Sequence, residues 1–203
     1  MNGFNNTARK CYLTEFLLIL ILIFSLESLS KADDISEFEI EGISIGDSAL
    51  KYFSKKTLNK NKKDWFKDKE YSISTGLKTS SMEKFDRLQF IYLTNDRDYK
   101  LKGIEAVKFY KDNITECDKI FDQTFLELKE LFSEVTFSKK NEWEHEADEV
   151  GTTMVTGQSI EFPNGDAVGL FCEDWSKESG FSDGLRISLR KNSYIDFLRW
   201  RAY

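Results

Sequence analysis

The stretch Asn113–Val135 reads NITECDKIFDQTFLELKELFSEV, and its apolar residues recur at steps of three and four positions. This spacing places them on one face of an α-helix. Asn113, with Glu116 three residues later, is typical of a helix N-terminus. The side chains predicted on the buried face are Cys117, Phe121, Phe125, Leu128, Phe132 and Val135. We therefore predict a helix over 114–135 that forms the spine of the domain.

Strand patterns lie on both sides of this helix. Residues 185–190 alternate leucine or isoleucine with arginine or serine, which indicates a strand with one buried face. Pro163-Asn164-Gly165 separates two further patterns and predicts a hairpin turn. The segments predicted as strands are 37–41, 71–77, 87–94, 101–110, 152–162, 166–175 and 185–190.

Other segments predict short helices, a bend and a loop. Ser48 and Ser54 are candidate caps of two short helices, and Asn192 or Ser193 is the candidate cap of a final helix to Trp200. Gly42 interrupts the first strand pattern and indicates a bulge or bend. Residues 138–151 are polar and predict a loop.

This order of elements predicts an α+β fold. We expect a mostly antiparallel sheet of about six strands, with one long helix and several short helices. The two runs of a helix followed by three strands also suggest two similar halves, although no residues match between them.

The N-terminal 32 residues have the features of a signal peptide. Arg9 and Lys10 precede an apolar run from Phe16 to Leu26, and Ser30 and Ala32 form a small-residue cleavage site. The apolar run is shorter than the roughly 20 residues that span a bilayer. We predict a signal peptide at 1–32 and a single α+β domain at 33–203. The mature protein is then periplasmic or secreted and not integral to the membrane.

Charge and composition limit the class of partner. The chain has 29 basic and 35 acidic side chains, for a net charge of −6. An acidic chain does not favour nucleic acid, which binds basic surfaces. Aromatic residues make up 14% of the chain, which supplies enough apolar mass for a folded core. We expect an unknown protein or envelope component as partner.

The cysteines predict one disulfide. Cys11 lies in the signal peptide, so the mature chain keeps Cys117 and Cys172. Two cysteines in an oxidising compartment most often pair. A catalytic thiol is the alternative, but no partner motif surrounds either cysteine.

One motif raises the possibility of a serine hydrolase. Gly42-Ile43-Ser44-Ile45-Gly46 matches the G-x-S-x-G pattern of a nucleophile elbow. His145 is the only histidine, so it would have to act as the base. The motif begins only ten residues after the cleavage site, and no His-Gly-Gly-type oxyanion segment is present. A strand bend followed by a helix cap is the simpler interpretation, so we assign no catalytic residue.

The stretch Glu142–Glu149 places several carboxylates around His145. Zinc sites draw on several nitrogen or sulfur ligands, and one histidine is available. A loose calcium site needs a glycine-punctuated loop, which this stretch lacks. We predict a solvated acidic loop, no metal site and no cofactor.

A lysine-rich segment is the candidate binding surface. Residues 51–69 carry eight lysines against Asp64 and Asp68, with Trp65 and Phe66 among them. Lysines beside aromatic rings can bind anionic lipid headgroups. The candidates are Lys55, Lys60, Lys63 and Lys67. The alternatives are a solvated helix face and a contact with the acidic loop of the same chain.

The sequence also resembles a group of small exported proteins. Ile40–Ser48, followed by Tyr52-Phe53, resembles the opening of small exported bacterial proteins without a characterised activity, and Cys172–Ser176 is similar to their C-terminal part. The resemblance implies export and assigns no functional residue.

The residues therefore predict an exported, non-catalytic binding or structural protein of the cell envelope. A small serine hydrolase that uses Ser44 and His145 is one alternative. A peripheral envelope-binding module that uses the lysine-rich segment 51–69 is the other.

Overall fold

A computed structural model describes residues 34–111, 113–132, 134–145, 148 and 152–203, and the predicted signal peptide lies outside them. The helices are α1 (Lys55–Lys60), α2 (Ile114–Leu131) and α3 (Asn192–Trp200). The strands are β1 (Glu39–Ile40), β2 (Ile43–Ser44), β3 (Lys62–Lys63), β4 (Tyr71–Leu77), β5 (Arg87–Leu93), β6 (Leu101–Phe109), β7 (Thr136–Phe137), β8 (Asn141–Glu144), β9 (Met154–Glu161), β10 (Ala167–Asp174) and β11 (Gly184–Arg190). Short 3-10 turns are formed by Ile35–Glu37, Ala49–Lys51 and Lys177–Ser179.

Nine of the described strands form one antiparallel sheet. Their order is β3-β4-β5-β6-β11-β10-β9-β7, and β8 also pairs with β9. Strands β1 and β2 form a separate two-stranded sheet. The prediction of an α+β fold with about six strands is therefore wrong, because the described chain is mostly β with one main helix.

The additional strands are short and lack an apolar alternation. Strand β3 consists of two exposed lysines, and all four residues of β8 are exposed. Strand β8 lies within 138–151, which we predicted as a loop, and its Glu142 pairs with Thr156 of β9. Both strands lie at edges of the sheet, where backbone pairing on one side alone is enough to extend the ladder.

Helix α2 begins where the sequence predicts and ends earlier. The Asn113 side chain accepts a hydrogen bond from the Glu116 amide, as expected of an N-cap. The helix ends at Leu131 instead of Val135, because Phe132 is extended and packs against Phe162 with ring centroids 5.1 Å apart. The chain then continues into β7, which must be extended to pair with β9.

Helix α2 covers one face of the sheet, which we call the inner face. Its buried side chains pack over β10 and β11. The predicted disulfide between Cys117 and Cys172 is present, with Cα atoms 6.0 Å apart. It ties the first turn of α2 to β10. Phe121 and Leu128 are fully buried in the same core.

The N-terminal segment covers the rest of the inner face. Ile40, Ile43 and Leu58 join the core that α2 forms with the sheet. Glu41 and Gly42 have φ angles of 54° and 72° and form the tight turn between β1 and β2, where we predicted a bulge or bend. Glycine accepts such positive φ at no steric cost.

Helix α3 covers part of the opposite face, which we call the outer face. Tyr194 and Phe197 pack there in a second core with Phe66 and Tyr71. The remaining members of this core are Ile73, Ile91 and Ala202.

The start of α3 differs from the prediction. Its N-cap is Lys191 instead of Asn192 or Ser193, and Lys191 makes no side-chain cap bond. Instead, Asp166, in the turn between β9 and β10, caps the helix: its carboxylate accepts a hydrogen bond from the Asn192 amide at 2.8 Å.

We predict that Phe121→Ala lowers the free energy of unfolding by about 3–5 kcal/mol, because it leaves a cavity in the inner core. Leu126→Ala is the matched control, since Leu126 lies on the same helix and is 63% exposed. We expect the control to change stability by less than about 0.5 kcal/mol. Urea unfolding measures both variants, and equal losses would contradict the burial of this helix face.

Candidate functional site

On the outer face, helix α3 contacts β6, whereas no described helix packs over β11, β10 and β9. Successive side chains on a strand point to opposite faces, so each of these strands sends alternate residues to this side. Glu105 of β6 pairs with Ser188 of β11, and Phe171 of β10 pairs with Arg186 of β11. The sheet register therefore brings polar residues from distant parts of the chain together.

Four of these residues form an ion-pair network, which we call the charged network. It consists of Glu105, Glu173, Arg186 and Arg190. Arg186 donates to Glu105 Oε2 at 2.8 Å and binds both carboxylate oxygens of Glu173 at 2.9 Å. Arg190 donates to Glu105 Oε1 at 2.7 Å. The two carboxylates and two guanidinium groups compensate one another, so the network is neutral as a unit.

Both carboxylates of the network are buried, and the arginines hold Glu105 ionised. Glu105 and Glu173 are almost inaccessible to solvent, whereas Arg186 and Arg190 are partly exposed. Burial disfavours the charged form of Glu105, but Arg190 and Arg186 outweigh it and hold the pKa of Glu105 below its usual value. Gln89 also donates to Glu105 at 2.9 Å. The ionised Glu105 is therefore part of the folded structure.

Aromatic rings pack against glycines of the sheet beside the network. A Cβ on Gly157 would lie 2.4 Å from the Trp143 ring, and one on Gly169 would lie 2.6 Å from the Phe171 ring. The two glycines thus make room for the rings, whose centroids are 6.2 Å apart. The Arg190 guanidinium lies 5.5 Å from the centre of Phe171.

A second aromatic group continues this surface at one end of the strands. Trp175 donates to Glu173 at 3.3 Å, and its ring contacts His145 and Phe181 with centroid distances of 4.7 Å in each case. Phe181 is 66% exposed, and Trp143 is also exposed. The outer face thus carries a charged network with exposed aromatic side chains at its border.

The structure does not bring the candidate hydrolase residues together. The Ser44 hydroxyl donates to Glu39 at 3.2 Å, and the chain just after Ser44 bonds to Leu101 at the start of β6. His145 packs against Trp175 and follows β8, four strands away in the sheet order. No observation on the described residues favours a serine hydrolase.

The four candidate lysines lie along the β3 edge of the sheet. Lys55 and Lys60 belong to α1, Lys63 belongs to β3, and Lys67 follows β3. All four are exposed. The structure therefore places them at one edge of the sheet, separate from the charged network.

A shallow cavity lies beside the disulfide, on the inner-face side of β10. It has a volume of about 220 Å³ and is lined in part by Asp118, Glu142 and Asp174. Burial raises the pKa of both aspartates, and nearby acids raise them further. In the part of the chain that the structure describes, no group of three or more metal-ligating side chains is positioned to hold a metal ion. The acidic lining of this cavity is therefore not enough to assign it as a binding site.

Comparisons with known proteins do not identify a family. No protein-family model matches the sequence, and no curated protein or solved structure is significantly similar to it.

Sequence reasoning missed the charged network. The alternation of Arg186, Ser188 and Arg190 with apolar residues predicted a strand with a solvated face. The one available signal was Glu105, which stands between the apolar residues Ile104 and Ala106 and needs a partner if it is buried.

We predict that Glu105→Gln lowers the free energy of unfolding by about 1–3 kcal/mol, because it removes the carboxylate charge that both Arg186 and Arg190 bind and leaves Glu173 as the one carboxylate of the network. Glu161→Gln is the control, since Glu161 lies on the same face and is exposed. We expect the control to be nearly neutral. Chemical denaturation at neutral pH measures the difference.

The Glu105→Gln variant also tests how the stability of the protein depends on pH. The pKa of Glu105 is lower in the folded than in the unfolded chain, so the unfolded chain binds more protons between the two values. The stabilisation that ionised Glu105 contributes is fully present above its pKa in the unfolded chain. It is lost as the pH falls through its lower pKa in the folded protein. Stability should fall less steeply with acid in Glu105→Gln than in the unmodified protein. Parallel curves would contradict the assignment.

Proposed function

We propose that this chain is an exported, non-catalytic binding protein of the cell envelope, which uses the outer face to contact another protein. The observation that carries the proposal is the combination, on one open sheet face, of a neutral arginine–glutamate network and exposed aromatic rings. Arginine, tryptophan and phenylalanine are enriched in the cores of protein interfaces.

The chemistry of the face favours an uncharged protein surface as partner. The network already compensates its own charges, so an anionic or cationic partner would gain little from it. Arg190 Nε and Ser188 Oγ form no hydrogen bond with any described residue. Both atoms are buried, so the contact that this face offers is the packing of apolar partner side chains on Trp143 and Phe181.

Two features support export. The signal-peptide pattern of residues 1–32 directs a chain across a membrane. The Cys117–Cys172 disulfide is of a kind that persists in oxidising compartments and is rare in the cytosol. We therefore place the mature protein in the periplasm or outside the cell.

The helices in the described part of the chain are each too short or too polar to cross a bilayer.

We predict that the protein isolated from its producing cells begins near Asp33 and has both cysteines blocked. Mass measurement after alkylation should show no modification of Cys117 and Cys172 before reduction and two modified thiols after it. An intact N-terminus with two freely alkylated thiols would contradict export.

We predict that a photo-reactive phenylalanine analogue at position 181 crosslinks to another protein in the producing cells, with a discrete product. Position 143 should give the same product, because both side chains border the charged network. The analogue at position 126 is the control, since Leu126 is similarly exposed but lies on α2 at the other side of the sheet.

The proposal also predicts that Trp143→Ala weakens the crosslink from position 181. Equal products from positions 126 and 181 would indicate nonspecific encounter, and the absence of any product from positions 143 and 181 would contradict a protein partner at this face.

A further inference from the structure

The β3 edge of the sheet carries an excess of positive charge, and we call it the basic edge. Its lysines are exposed, and the following five form no ion pair with any described residue: Lys56, Lys60, Lys62, Lys63 and Lys67. Lys55 lies over the Tyr99 ring, 5.7 Å from its centre. The basic edge thus presents a group of lysines to solvent.

Nearby acidic groups are already paired with other cations. Asp64 forms an ion pair with Lys69, and Arg201 pairs with Asp68 and Glu70. These contacts use the carboxylates that follow β3 in the sequence. They leave the lysines of the basic edge uncompensated.

Exposed aromatic side chains lie beside these lysines. Phe66 is buried against Phe197 with ring centroids 4.9 Å apart, and the Lys67 amide donates to the Ala202 carbonyl at 2.9 Å. This pairing holds the segment around Phe66 alongside the C-terminus. The exposed aromatics of the two segments are Trp65, Trp200 and Tyr203, at 53%, 75% and 76% exposure.

The described acidic residues of β8 are too far away to neutralise the basic edge. Glu142 and Glu144 belong to β8, and β8 and β3 lie at opposite edges of the sheet. Seven strand spacings separate them, which is about 34 Å. That distance exceeds the Debye length of about 8 Å at physiological salt. An anionic surface at the basic edge is therefore not repelled by the acids of β8.

We propose that the basic edge docks the protein edge-on to an anionic lipid bilayer. The lysines contact lipid phosphates, and Trp65 and Trp200 enter the headgroup region, where tryptophan and tyrosine are enriched in membrane proteins. The tryptophans favour a bilayer over a simple polyanion such as polyphosphate, which has no apolar interface for an indole ring. This docking uses a surface separate from the outer face and does not depend on the partner proposed there.

The test measures binding to vesicles of equal parts phosphatidylglycerol and phosphatidylcholine, by co-sedimentation. The protein is prepared from Asp33 onward and checked for a cooperative melting transition, because the apolar run Phe16–Leu26 would itself partition into lipid. We expect binding at low salt, weaker binding at high salt, and none to pure phosphatidylcholine. No binding to the anionic vesicles at low salt would overturn the proposal.

Charge variants locate the contact. Lys60→Gln with Lys63→Gln should weaken binding about 25-fold, since each lysine near the surface contributes about fivefold. Lys139→Gln with Lys177→Gln makes the same change of net charge at exposed positions away from the basic edge. This control pair should bind within about twofold of the unmodified protein. Equal losses from both pairs would show that net charge alone acts, and would overturn docking at this edge.

Tryptophan variants separate bilayer docking from attraction to any polyanion. Trp65→Ala with Trp200→Ala should weaken vesicle binding about tenfold or more, whereas Trp143→Ala, at the outer face, should leave it unchanged. Both tryptophans are exposed, so neither change removes core packing. Binding that needs the lysines but not Trp65 and Trp200 would identify a nonspecific polyanion site and overturn the proposal.

Discussion

The sheet is wider than the main helix can cover, and this mismatch determines which other segments pack on its two faces. The strand order from β3 to β8 spans about 34 Å, while the 18 residues of α2 form a cylinder about 27 Å long and about 10 Å wide. One helix covers β10 and β11 and cannot cover the other strands as well. The N-terminal segment therefore completes the inner face, and α3 covers a part of the outer face.

The remaining part of the outer face is closed by side chains that lie on it. Glu105 could not stay ionised on a buried strand without Arg186 and Arg190, and Glu173 fixes Arg186 from the next strand. Two glycines let aromatic rings lie against the backbone, so apolar area is covered without another helix. A surface built in this way carries no net charge in its network, and Trp143 and Phe181 remain accessible at its border. These are the properties on which the proposed protein contact depends.

The sequence predicted those parts of the fold that have a local signal. The apolar stripe of α2, its Asn113 cap and the Pro163–Gly165 hairpin each depend on residues close together in the chain. Strands β3 and β8 gave no such signal, because exposed edge strands need only backbone pairing with a neighbour. The charged network could not be predicted either, since Glu105 and Arg186 are 81 residues apart and meet only through the register of β6 and β11. The four candidate lysines and Trp65 lie in one segment of the sequence, whereas Trp200 could not be predicted beside them because it reaches them only through the packing of α3.

The pairing of β6 with β11 has a consequence for the order of folding. Strands β4 to β6 and β9 to β11 are each connected by short turns, so each group can form from local contacts, whereas β6 and β11 must close a long loop before they pair. That loop contains both cysteines, and their bond bridges a separation of 55 residues within it. Formation of the Cys117–Cys172 disulfide therefore shortens the loop that must close before the two groups of strands can pair. Under the proposed export, the compartment that forms the disulfide is also the one in which the sheet can be completed quickly.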